Sequence, residues 1–161
     1  MVNKTKLILQ ALKDNLNRVE RRYRWTGKGN EDIRCTIPGQ TFVKTVERNI
    51  WQFYDIVFET AIKKNHKIEV EVLYDLEDSE HKAKPFLGTT IEEPTKLLCL
   101  KVKLPVSFGV KTAIVEVTTH LGASKPLESK KLEFDRDGLV KYLEYNPRLL
   151  HHYELKWLQP E

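Results

Sequence analysis

The chain predicts an α+β fold: two long N-terminal helices packed on a mostly antiparallel sheet of roughly four to six strands, with a short helix near the C-terminus. Three observations predict it. Phe42–Lys64 carries apolar residues at helical spacing. Thr5–Tyr23 does the same without Gly or Pro. After Asn65 the apolar period changes from about 3.6 to about 2.

In Thr5–Tyr23, residues Ile8, Leu12, Leu16, Val19 and Tyr23 mark the buried line, with Asn3 or Thr5 as cap and Asp14 with Arg18 as an i,i+4 pair. Gly27 and Gly29 end this helix near Trp25. Thr26–Gln40 is a connection in which Ile33, Cys35 and Ile37 alternate as a short strand, closed by a turn at Pro38-Gly39. Phe42–Lys64 is the expected spine. Val46, Ile50, Phe53, Val57 and Ala61 form one line, Phe42, Tyr54, Phe58 and Ile62 lie beside it, and Arg48, Gln52, Asp55, Glu59 and Lys63 oppose them. Trp51 and Ile56 widen the apolar face, so this helix is expected to be covered on more than one side.

The strands follow. Ile68, Val70, Val72 and Tyr74 alternate with Glu69 and Glu71 in Lys67–Asp75. Leu76–Pro94 reads as a long polar connection anchored by Phe86 and Leu87. Thr95–Leu104 turns Leu98, Leu100, Val102 and Leu104 inward and Lys101 and Lys103 outward; Val110–Thr119 buries Ala113, Val115 and Val117. Lys130–Phe134 is a shorter strand. Asp135 or Asp137 caps a brief helix through Tyr145, stopped by Asn146-Pro147, and Tyr153–Trp157 is the last strand. If the first two long strands are neighbours, Glu69 and Glu71 meet Lys101 and Lys103 across the outer surface.

Composition bounds the function. A chain of 161 residues, 40% hydrophobic and 31% charged, is read as one soluble globular domain spanning 1–161. Its net charge of +4 and pI near 9.0 permit an anionic partner without requiring one. Cys35 and Cys99 make no disulfide framework and no CxxC; Cys99 reads as a small core residue, and the setting as reducing and cytoplasmic. No apolar run approaches the ~18 residues of a membrane helix. LILQAL is cut short by Lys13 and Asp14, which reads as a helix rather than a signal peptide.

A search for chemistry assigns no catalytic residue, no metal ligand and no cofactor. There is no phosphate-binding glycine motif, no GxSxG around Ser107 or Ser124, and no paired spacing among His66, His81, His120, His151 and His152. The acidic run Asp75, Glu77, Asp78 and Glu80 lacks the glycine and final carboxylate of an EF-hand loop. Glu69 and Glu71 lack the lysine of a nuclease motif. One stretch stands out, Arg18–Lys28. Arg18, Arg21, Arg22, Arg24, Trp25 and Lys28 combine cations that meet phosphates with an aromatic face that stacks on bases. The competing explanation is cations gathered at a helix C-terminus by the dipole. A second basic group is Lys125, Lys130, Lys131 and Arg136. The first functional expectation is a non-catalytic binding or assembly protein, a subunit or adaptor that meets a protein partner or itself. The second is nucleic-acid binding through Arg18–Lys28, and the third an enzyme with a dispersed site.

Overall fold

The computed structural model describes residues 2–48, 51–80, 82–121 and 123–157. It is nearly all β, with twelve strands, one 3-10 turn and no α-helix among the described residues. The α+β expectation is therefore overturned, and each of its three helices is a strand or a pair of strands. The chain divides into two compact units, Met1–Lys84 and Pro85–Glu161.

The stretch Thr5–Tyr23 belongs to β1 (Val2–Gln10) and β2 (Leu16–Tyr23). Its expected buried line fails at two members, Ile8, 69% exposed, and Leu12, 83%, with Leu7 and Leu9 facing the core in their place, while Leu16, Val19 and Tyr23 do pack against it. Asn15 sits at φ 58°, the left-handed region that Asn tolerates, and breaks the chain between the strands. Asp14 accepts a hydrogen bond from the Lys64 backbone N–H at 2.9 Å rather than pairing with Arg18. Glu31–Cys35 is β3, close to the expected short strand.

The expected spine is two strands, β4 (Gln40–Arg48) and β5 (Trp51–Ile62), paired antiparallel with a bulge between Lys44 and Glu47. Ile50 lies outside the described residues. Tyr54, Ile56 and Phe58 alternate into the core, while Trp51, Phe53 and Val57 are half-buried on the other side. A strand covered in part on both faces has no clean alternation, so its apolar positions fit a helical template by coincidence. The richness in Val, Ile, Thr, Phe, Tyr and Trp, residues restricted at χ1 or bulky on a pleated surface, decides for strand.

Unit 1 consists of two three-stranded antiparallel sheets. One has the order β1-β6-β3, where β6 is Lys67–Leu76; the other has the order β2-β5-β4. Val70, Val72, Tyr74 and Leu76 of β6 meet Tyr54, Ile56 and Phe58 of β5 in a single core. Tyr23, Tyr54 and Tyr74 cluster within it, ring centroids 5.6–6.4 Å apart, and the Tyr54 and Tyr74 hydroxyls share a hydrogen bond of 2.5 Å.

Unit 2 holds a four-stranded sheet and a two-stranded ribbon. The sheet has the order β10-β9-β12-β7, built from β7 (Phe86–Thr90), β9 (Thr112–Thr118), β10 (Glu128–Glu133) and β12 (His152–Trp157). The ribbon pairs β8 (Leu97–Lys103) with β11 (Leu139–Tyr145). Ala113, Val115, Val117, Leu155 and Trp157 pack with Leu98, Leu100, Val140 and Tyr142. The strands expected here are present. The short helix from Asp135 is not. The Asp135 carboxylate accepts hydrogen bonds from the Asp137 and Leu139 backbone N–H groups, both at 2.9 Å. Gly138 then turns the chain at φ 72°, where a Cβ would stand 2.2 Å from the Leu104 carbonyl oxygen. The result is a tight turn into β11 rather than a helix cap.

Two smaller expectations also change. Glu69 and Glu71 do not face Lys101 and Lys103, because β6 is bonded to β1 and β3 and β8 to β11; Lys6 pairs with Glu69 instead, at 2.7 Å. Cys99 is exposed, not a core residue.

Candidate functional site

The basic-aromatic segment is distributed over three environments. On β2 the side chains alternate, so Arg21 shares a face with Val19 and Tyr23 while Arg18 and Arg22 point the other way. Arg18 pairs with the nearly buried Asp55 at 3.3 Å, and the Arg22 guanidinium lies over the Trp51 ring, 4.6 Å from its centroid. Lys28 pairs with Glu80 at 2.7 Å. Arg24 and Trp25 line a cleft of about 490 Å³ with Glu31, Glu47, Gln52 and Lys84. The structure thus sets Arg18 and Arg22 on one face of β2 with Glu20 between them, Arg21 on the opposite face, and Arg24 with Trp25 in one cleft.

A second surface was not singled out by sequence. The ribbon register sets Leu97 opposite Tyr145, Cys99 opposite Leu143, and Lys101 opposite Lys141. These alternate with the buried Leu98, Leu100, Val140 and Tyr142, so they all stand on the outer face. Leu97 is 47% exposed, Leu143 41% and Tyr145 71%. One end of the face is apolar, and the other carries Lys101, Lys103 and Lys141.

The lysine pair is unusual for this molecule. Like charges directly opposite on neighbouring strands repel, at a cost of up to ~1 kcal/mol. Three acidic cross-strand pairs each have a cation supplied to them. Glu116 faces Glu154, and Lys156 bridges both at 2.7 and 3.4 Å. Glu20 faces Asp55, which holds Arg18. Asp32 faces Asp75, and Arg34 pairs with Asp32. Lys101 and Lys141 receive no such partner: among the described residues neither they nor Lys103 enter an ion pair. A sequence signal existed, since Leu139, Lys141, Leu143 and Tyr145 alternate with Val140, Tyr142 and Glu144, but it was absorbed into a helix.

Elsewhere the polar groups serve the fold. His152 is buried, with Nδ1 3.0 Å from Thr90 Oγ1 and Nε2 3.2 Å from Glu154; Gly88 makes room for its ring, since a Cβ there would lie 2.9 Å from Nε2. Contact with His152 and then with Lys156 holds the Glu154 carboxyl below its ordinary value. Asp78 accepts backbone N–H bonds from Lys28, Lys82 and Ala83, which accounts for part of the acidic run. His81 lies outside the described residues. No group of three or more His, Cys, Asp or Glu able to hold a metal occurs among the described residues. No helix there is long and apolar enough to cross a membrane. No family model matches the chain, and neither does any curated protein or solved structure.

Proposed function

We propose that the chain is a non-catalytic binding protein whose docking surface is the outer face of the β8–β11 ribbon, and that its partner is an extended protein segment with apolar and acidic side chains. The single observation that carries this reading is the uncompensated Lys101–Lys141 pair beside the exposed Leu97, Cys99, Leu143 and Tyr145. An apolar patch rimmed by charge is the composition of a contact surface. The charge chooses the partner. A second copy laid face to face would set lysine against lysine, whereas carboxylates would relieve a repulsion already built into the ribbon. Both ribbon strands also bond only to each other among the described residues, which leaves an edge for strand addition.

The test uses two synthetic extended peptides, one alternating valine and glutamate, the other valine and lysine. Binding of the acidic peptide alone, with protection of β8 and β11 amides from hydrogen exchange, is the expected result. It should weaken about tenfold in Lys101→Glu/Lys141→Glu and in Tyr145→Ser. Equal binding of both peptides, or protection confined to Met1–Lys84, contradicts the reading. Protection that rises with the concentration of the chain alone would point to self-association.

A second reading, nucleic-acid binding, is favoured by the Arg22–Trp51 stack with the exposed Arg18 on the same face of β2. It predicts heparin retention that falls steeply with salt and drops in Arg18→Ala/Arg22→Ala. Unchanged retention rejects it.

A further inference from the structure

The cleft in unit 1 is dipolar, and we infer that it binds a small zwitterion of the amino-acid class. This inference concerns unit 1 alone and does not depend on the ribbon.

The geometry follows from register. Tyr23, Gln52 and Glu47 are cross-strand neighbours in the β2-β5-β4 sheet. Glu31 opens β3 in the other sheet, and its carboxylate accepts a hydrogen bond from the Tyr23 hydroxyl at 2.5 Å. Two carboxylates from two sheets therefore converge on one phenol. Burial, then the Glu31 hydrogen bond, then the charges of Glu31 and Glu47 hold that phenol protonated well above its ordinary range. This is the negative pole. The cations of the lining are Arg24 and Lys84, and the Lys84 backbone N–H, donating to Thr26 Oγ1 at 2.9 Å, brings their two chain segments together. Trp25 shares the lining, its ring set against the backbone of Gly27, where a Cβ would come within 2.3 Å of the indole.

Two further groups match this polarity. The buried Trp25 indole N–H and the buried Gln52 Oε1 have no hydrogen-bond partner. Gln52 stands in register with Glu47 and Tyr23, so its free acceptor adds to the carboxylate side, and Trp25 follows Arg24 in the chain, so its free donor adds to the lining that carries the cations. Arg24, Glu47 and Lys84 enter no ion pair among the described residues. Arg24 and Lys84 balance Glu31 and Glu47, so the lining is neutral. A nucleotide would bring uncompensated negative charge onto two carboxylates. A molecule with one ammonium and one carboxylate satisfies both poles at once, and about 490 Å³ lies within the range of small-molecule sites.

The experiment follows the tryptophan indole N–H signals of the full chain by ¹⁵N NMR. Trp25→Phe identifies the Trp25 signal, and the signal of Trp51, on β5 of the same unit, reports an intact fold. Pools of the free amino acids, and separately of dipeptides, are added at up to about 10 mM, with AMP and inorganic phosphate as further arms. A saturable shift of the Trp25 signal is expected with at least one zwitterion. The N-acetyl and methyl-ester derivatives of that zwitterion should bind about tenfold more weakly or worse, and Arg24→Ala and the isosteric Glu47→Gln should each cost about tenfold. Amino acids and dipeptides distinguish the spacing of the two charges. The inference is overturned if no zwitterion moves the signal, if AMP or phosphate moves it while zwitterions do not, or if the blocked derivatives bind equally well.

Discussion

The two units solve the same packing problem with different materials. Unit 1 places tyrosines at the centre of its core, with Tyr23, Tyr54 and Tyr74 in mutual contact and two hydroxyls bonded to each other. Unit 2 closes on Val115, Val117, Leu155 and Val140 and leaves an apolar face bare on its ribbon. Both units expose some apolar side chains and bury some polar ones; what differs is that the buried phenols of unit 1 meet one another, while the exposed Leu97, Leu143 and Tyr145 of unit 2 share one ribbon face.

The comparison breaks first at the cores. Ile56 and Leu155 are both fully buried. Ile56→Ala and Leu155→Ala should each destabilise their own unit by about 2–5 kcal/mol in denaturant unfolding followed by methyl NMR. A loss under ~1 kcal/mol at either would mean that the core of that unit is misplaced.

The tyrosine cluster gives the next effect. Tyr74→Phe leaves the buried Tyr54 hydroxyl without its partner and should cost about 1–3 kcal/mol. The Tyr54→Phe/Tyr74→Phe double variant should cost less than the two single losses added together, because it removes both ends of one bond. Strict additivity would dissolve the pair.

Alkaline pH sharpens the contrast. Burial, the leading cause in each case, raises the Tyr23, Tyr54 and Tyr74 phenols above the ordinary 10.0; in unit 2 the same is resolved for Tyr142, with Glu144 assisting. A raised folded-state value means that the folded form holds its proton longer. The associated stability is complete below pH 10 and is lost as pH rises from there toward the folded values. Unit 1 should lose stability more steeply than unit 2 above pH 10, read from the Ile56 and Leu155 methyl signals at fixed urea. Parallel losses would contradict the placement of three phenols inside unit 1.

The smallest effect carries the opposite sign. Lys141→Glu converts a repulsive cross-strand pair into an attractive one and should stabilise unit 2 by about 0.5 kcal/mol. Destabilisation would show that Lys141 already has a use in the fold.

Legibility followed how openly each strand alternates, not the division into units. KIEVEVLY of β6, KLLCLKVKL of β8 and TAIVEVT of β9 bury one face and wet the other and read as strands, whereas β11 reads as a helix and β7 as part of a connection. In unit 1, β5 is half-covered on its second face and β2 interleaves arginines with core residues, so alternation is blurred and a helical period fits by chance. On β1 the exposed Ile8 stands between the inward Leu7 and Leu9, so the strand shows an unbroken apolar run, and a helical line takes in Ile8 and Leu12. Of the candidate residues, Arg24 and Trp25 do meet in a cleft, but their partners Glu47, Gln52 and Lys84 come from positions that only strand pairing brings near. Cys99 misled because an apolar neighbourhood in sequence says which strand a residue is on, and only the alternation within that strand says which face.

The most direct test of the central contrast, a half-covered strand face in unit 1 and a bare ribbon face in unit 2, is the alkylation rate of the two cysteines in the folded chain, read by mass spectrometry. Cys35 is half-buried and its thiol is raised by burial, whereas Cys99 stands on the exposed face. Cys99 should react at close to the rate of an unstructured thiol, with Cys35 lagging well behind. Cys99 protected until the chain unfolds would contradict the account.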